Sequence, residues 1–208
     1  MLKKPMIVKH KRINPINADC ETIILFSFFL CGIILGVFII KNCNDDIKNA
    51  LSTLLSNYIA TKIECGFISC FSGLLVFLVI FIVFSFLFGM CAIGTPFVWA
   101  VPVIFGVICS GYVSLMLINY GLKGLFYCIL VDLLPYAITT ATLVKCCCES
   151  TKLSVNLFGC IVGDNNFRGK NQFKEYILNY LILCIPVLIG AIISAFCFKI
   201  FKGLFIFT

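Results

Sequence analysis

From Cys65 to Leu122 the chain contains no Asp, Glu, Lys, Arg or His. A membrane-crossing helix needs about 20 predominantly apolar residues, so this one stretch holds two passes with a turn between them. Backbone amides in hydrocarbon must be bonded internally, which leaves helices or closed barrels. The run is too long and too uniformly apolar for barrel strands, whose residues alternate. Composition agrees: 62% of the residues are hydrophobic and 12% charged, where a soluble domain carries about 25% charged residues. The chain is therefore expected to be an all-α polytopic membrane protein of about five transmembrane helices plus one external amphipathic helix, in a single membrane domain over residues 1–208.

Apolar runs place the spans at residues 23–40, 67–93, 98–120, 125–144 and 176–198. Gly94-Thr95-Pro96 separates the second from the third, because proline removes a backbone donor and restricts its predecessor. Tyr120-Gly121-Leu122-Lys123-Gly124 turns the third into the fourth. The first run ends in Phe38-Ile39-Ile40-Lys41 without the small residues of a cleavage site, so it reads as a retained helix. Residues 149–175, with Gly159, Gly163, Gly169 and Asp164-Asn165-Asn166, read as a cytoplasmic loop. The apolar patch from Val155 to Val162 within it suggests an interfacial or re-entrant piece.

The formal net charge is +7. Five cations, Lys3, Lys4, Lys9, Lys11 and Arg12, crowd into the tail at residues 1–22 without aromatic interleaving. That pattern points to anionic membrane lipid as the partner and away from nucleic acid. With the N-terminus inside, ten cations are cytoplasmic and six, Lys62 among them, are external. The expected placement is multi-pass in the cell membrane, N-terminus cytoplasmic and C-terminus external.

Residues 44–64 behave differently from the spans. Apolar residues at Ile47, Leu51, Leu54, Leu55, Tyr58 and Ile59 recur at helical spacing, behind Asn44 or Asp45 as a cap. This is the external amphipathic helix. Ile47, Leu51, Leu54, Leu55 and Tyr58 are its candidate partner-binding face, although the same face equally suits packing on its own bundle.

Chemistry has few places to reside. There is one His, His10, in the basic tail, and the carboxylates lie mostly outside the spans. Neither a catalytic constellation, a phosphate loop nor a cofactor motif emerges, so no enzyme activity, cofactor or metal is expected. Cys43 and Cys65 bracket the external segment and can pair if it is extracytoplasmic. Cys146-Cys147-Cys148 at the end of the fourth span are ordinary boundary cysteines, with acylation or metal binding as the alternatives. Asp132, ahead of Pro135 in the fourth span, stands out because a carboxyl at membrane depth is costly. It marks either an ion pathway or a buried hydrogen bond to Tyr112, Tyr136 or a neighbouring helix. The latter is favoured, since no cation lies within the spans.

Small residues four apart recur within spans: Gly32 and Gly36, Ser69 and Gly73, Ser85 and Gly89, Gly106 and Ser110, Gly190 and Ser194. Such spacing lets helices approach closely. It predicts a tightly packed bundle or self-association.

Taken in order, Gly32-Ile33-Ile34-Leu35-Gly36, the external segment, Gly94-Thr95-Pro96, Phe105-Gly106-Val107-Ile108-Cys109-Ser110-Gly111-Tyr112, Tyr120-Gly121-Leu122-Lys123-Gly124-Leu125 and the Leu134-Pro135 kink resemble the stage II sporulation protein M family of bacterial membrane proteins. The match is best from Gly89 to Val144. The resemblance implies a non-enzymatic five-span scaffold of the sporulation engulfment machinery, which anchors and localises a lytic transglycosylase and an amidase on the outer face. Its motifs make Gly32, Gly36, Gly94, Pro96, Gly106, Ser110, Gly111, Gly121, Gly124 and Pro135 structural and interaction residues, and Asp132 joins them as the carboxyl at membrane depth. The chain departs from the family in carrying Tyr136-Ala137-Ile138 after the proline, where members often have Gln or His. The alternative expectation is a small transporter or channel subunit that uses Asp132, in which case a polar cavity should surround that residue.

Overall fold

A computed structural model describes residues 15–162 and 169–201; for residues 15–19, 63–66, 68–70, 162 and 169–171 it describes the backbone alone. The basic N-terminal cations, His10 and the Asp164-Asn165-Asn166 run lie outside the described residues. The described chain forms five helices: α1 Pro15–Asn42, α2 Asp45–Gly89, α3 Thr95–Tyr127, α4 Leu133–Val162 and α5 Gly169–Phe201. A π-helical turn at Cys128–Asp132 joins α3 to α4. Among the described residues there is no strand.

Four helical runs are long and apolar enough to cross a bilayer: Cys20–Asn42, Phe71–Gly89, Thr95–Ile161 and Gln172–Phe201. The third has 67 residues and folds back on itself. Gly121 takes φ 59° and ψ −143°, a region essentially reserved for glycine, and Gly124 comes to lie against the Met116 carbonyl. Beyond this break the two arms run antiparallel. The Tyr112 and Tyr136 rings are 6.5 Å apart, whereas a straight helix would separate them by about 36 Å. Nearer the other end, Trp99 Nε1 donates to Thr151 Oγ1 at 3.2 Å. The run is thus two crossings, and the bundle has five.

The interior and exterior of the bundle are those of a membrane protein. Ser85, Ser150, Ser154 and Thr139 are buried inside, while Ile34, Leu181 and Ile182 are more than 60% exposed on the outside. Hydrocarbon offers helices no apolar gain from packing, so their contacts come from close approach and polar pairing. The closest approach is between α1 and α3, which lie parallel. Gly32 backs onto the Val103 carbonyl, Gly36 onto Val107 and Ser110, and Gly106 onto the Phe29 carbonyl. The two small-residue pairs expected from spacing are therefore partners of each other. Gly190 meets Pro135 and Thr139 of α4 at ordinary contact distance.

Two divisions drawn from sequence require correction. The amphipathic segment 44–64 and the span 67–93 are one continuous helix, α2, which ends at Gly89 before a turn through Gly94. No proline interrupts it, so the polar-to-apolar change alters its environment and not its backbone. It is nevertheless bent: a Cβ on Gly73 would lie 4.0 Å from Tyr58 Oη, although fifteen residues of straight helix span about 22 Å. The first arm of α2 consequently lies across one end of the bundle, called here the arm end. Leu55 and Ile59 are buried there with Ile40, Met116, Tyr127, Val131 and Phe198.

The second correction concerns 149–175. α4 continues to Val162 and α5 begins at Gly169, so this region is mostly helical. Its Ser and Thr residues, read as loop, form the inward face of α4. Ser150 Oγ donates to the Ser85 carbonyl at 2.9 Å and also touches Tyr176 Oη, 3.1 Å away, and Tyr180 Oη. Tyr180 Oη donates to the Cys146 carbonyl at 3.0 Å. This hydroxyl cluster ties α2, α4 and α5 together at the end opposite the arm, called here the tail end. Cys146, Cys147 and Cys148 lie buried beside it, between Lys145 and Glu149. Cys65 lies outside the described side chains, and with it the pairing with Cys43.

The α1–α3 contact yields a test. Gly32→Leu and Gly106→Leu drive side chains into the Val103 and Phe29 carbonyls, which leave no room for a Cβ. Each should cost roughly 1–3 kcal/mol, read as a lower unfolding temperature in detergent. Gly111→Ala, whose nearest neighbour is Ile40 at 3.9 Å, should leave that temperature unchanged.

Candidate functional site

A carboxyl inside a low-dielectric bundle demands a partner, and α2 supplies one. Lys62 Nζ stands 3.9 Å from Asp132 Oδ1, with both side chains almost completely buried. The expectation that no cation reaches the spans is thereby overturned. The sequence places Lys62 on an external, peripheral helix, but the bend in α2 turns its side chain inward. Its helical phase carried the signal: Leu55, Ile59 and Lys62 follow at four- and three-residue spacing, on one face.

The pair is built from four helices. Pro135 has no N–H for the Val131 carbonyl one turn back, and the π-turn at Cys128–Asp132 lies immediately ahead of it. Both Val131 and Asp132 are buried. Tyr112 of α3 donates its hydroxyl to Asp132 Oδ2 at 3.2 Å, one of the hydrogen bonds anticipated for this carboxyl. On the other side, the Lys62 ammonium faces the rings of Tyr58, Tyr127 and Phe198 at 5.7, 5.8 and 5.3 Å, within cation–π range. Phe198 belongs to α5, so the ammonium joins the arm to the last helix as well.

A cavity of about 310 Å³ opens beside the pair, bounded by Lys62, Asp132, Tyr58, Gly73, Phe77 and Tyr136 among others. Toward the tail end it is closed by aromatic rings. Phe77, Phe81 and Phe105 pack edge-to-face or tilted, with centroids 5.1 to 5.9 Å apart, and Phe105 is completely buried. Cys109 and Tyr136 form a partition, since they also line a larger apolar cleft of about 540 Å³ between α1, α3 and α4.

The remaining sequence candidates divide by position. Gly32, Gly36, Gly106 and Ser110 make the α1–α3 seam. Gly94 packs against the Phe88 carbonyl in the turn before α3, and Pro96 occupies the first turn of α3. Gly121 and Gly124 shape the hairpin, and Gly111 makes an ordinary contact. On the arm, Leu55 is buried and Leu51 half-buried, while Ile47, Leu54 and Tyr58 are 51%, 65% and 46% exposed. The face read as a partner surface is therefore divided: one edge holds the bundle and the other looks outward. The side chains of Ser69 and its neighbours lie outside the described residues. The hydroxyl cluster of Ser85, Ser150, Tyr176 and Tyr180 escaped the sequence, because serines and tyrosines carry no spacing signal of their own.

Removing one member of a buried ion pair leaves the other uncompensated and costs about 3–5 kcal/mol, whereas replacing both with apolar residues is often neutral. Lys62→Met and Asp132→Leu should each destabilise the protein to that degree, and the double variant should recover most of the loss. Thermal unfolding of the four proteins in one detergent measures it. No family model matches this chain, and neither a curated protein nor a solved structure is significantly similar to it.

Proposed function

We propose that the chain is a non-enzymatic scaffold of the cell membrane, oriented with its N-terminus in the cytoplasm, that holds extracytoplasmic proteins at the arm end. The observation that supports this reading most is the α2 arm. It is fastened to four other elements through Leu55, Ile59 and Lys62, yet it presents Ile47 and Leu54 outward. A fastened element with an exposed apolar edge suits a docking surface, since it loses little entropy on binding. That the cargo consists of peptidoglycan hydrolases, in sporulation engulfment, rests on the sequence resemblance to the stage II sporulation protein M family. Affinity purification in mild detergent should recover a lytic transglycosylase or an amidase with the chain. Ile47→Asp combined with Leu54→Asp should abolish recovery while leaving the chain in the membrane. Isolation of the chain alone from cells that express both enzymes would refute the reading.

A second reading, a small transporter or channel subunit, is favoured by one observation: the cavity beside Asp132. The rings of Phe77, Phe81 and Phe105 would then have to move for a solute to pass. Asp132→Asn should abolish the flux of an ion or solute into vesicles containing the protein, with insertion unchanged. Equal flux from the variant and the parent would exclude it.

A further inference from the structure

The cavity at the charge pair has a chemistry that the scaffold reading does not use. Its wall carries one buried cation, Lys62, and one buried anion, Asp132, so its formal charge is zero. An anionic ligand on Lys62 would draw the ammonium from Asp132 and leave that carboxylate short of its partner. A cationic ligand on Asp132 would press against the Lys62 ammonium. Each outcome leaves an uncompensated charge in a low-dielectric site, which is strongly penalised. A ligand that carries both charges avoids both penalties, because each wall group exchanges one opposite charge for another.

The geometry suits such an exchange. The Lys62–Asp132 separation of 3.9 Å is well beyond the roughly 2.7–2.9 Å of a charge-assisted hydrogen bond. Tyr112 holds Oδ2 of the carboxylate and leaves Oδ1 toward the ammonium. At about 310 Å³ the space is at the small end of ligand sites, the size of a headgroup or an amino acid. Phe77 forms its wall on the side away from the arm.

We propose that the cavity between Lys62 and Asp132 binds a zwitterionic group, its acidic end on the Lys62 ammonium and its ammonium on the Asp132 carboxylate. Two sources offer that chemistry, an aminophospholipid headgroup and a free amino acid.

The test uses the full chain, purified and delipidated in mild detergent. Phosphatidylethanolamine, phosphatidylglycerol and glycine are titrated separately, with binding read by native mass spectrometry and thermal shift. Binding of phosphatidylethanolamine at least about tenfold tighter than phosphatidylglycerol supports the site and assigns it to lipid. Binding of glycine without a lipid preference supports it and assigns a soluble source. Lys62→Gln and Asp132→Asn should each weaken binding by at least about tenfold. Because those variants also lose the ion pair, Gly73→Leu provides the second arm: it keeps both charges and fills the cavity, and it should weaken binding equally. No binding of either zwitterion, phosphatidylglycerol binding equal to phosphatidylethanolamine in the absence of glycine binding, or undiminished binding to a folded Gly73→Leu protein would overturn the proposal.

Discussion

Charge buried at membrane depth is the constraint on which this structure turns. Asp132 is held in the bundle by a proline and a π-turn, and its carboxylate needs an opposite charge nearby. Lys62 meets the need only because α2 bends and lays its first arm over the end of the bundle. The ion pair, the Tyr112 hydroxyl and the three rings around the ammonium then join α2, α3, α4 and α5 at one point. A buried pair of this kind adds little net stability relative to an apolar replacement, yet it penalises every arrangement that separates its members. Its effect is to select one position for the arm.

The two ends of the bundle are held by different forces. At the tail end, the Ser85, Ser150, Tyr176 and Tyr180 hydroxyls bond to one another and to carbonyls of the facing helices. At the arm end, charge and aromatic faces take over. Between them lies the aromatic layer of Phe29, Phe77, Phe81 and Phe105, which separates the two polar regions. Along one flank, α1 and α3 touch backbone to backbone through Gly32, Gly36 and Gly106. Bundles in lipid rely on such means because apolar contact alone is no better than contact with lipid tails.

Much of this was legible before any coordinates. Uninterrupted apolar runs reveal crossings because the hydrocarbon core imposes a minimum length. Glycine spacing marked the α1–α3 seam because only a hydrogen side chain lets carbonyls come so near. What misled was polarity taken as a sign of loop or surface. Ser150, Thr151 and Ser154 read as a connection but form the inner face of α4, since inside a membrane bundle polar groups turn inward. The break placed between the arm and the second span followed from hydropathy, which describes environment and not backbone continuity.

By itself the sequence determined the class of the protein: all-helical, embedded, with five apolar crossings, a reversal at Gly121 and a carboxyl stranded in the fourth span. These follow from local rules of length, glycine geometry and transfer energy, each acting within a few turns of chain. Tertiary structure alone decided that Lys62 is the partner of Asp132, seventy residues distant, and that a cavity opens beside them. Pairing across helices depends on a bend and a register, which no single segment contains. The physical reason is the reach of the interaction: a buried charge acts through space on whatever the fold brings within a few ångströms.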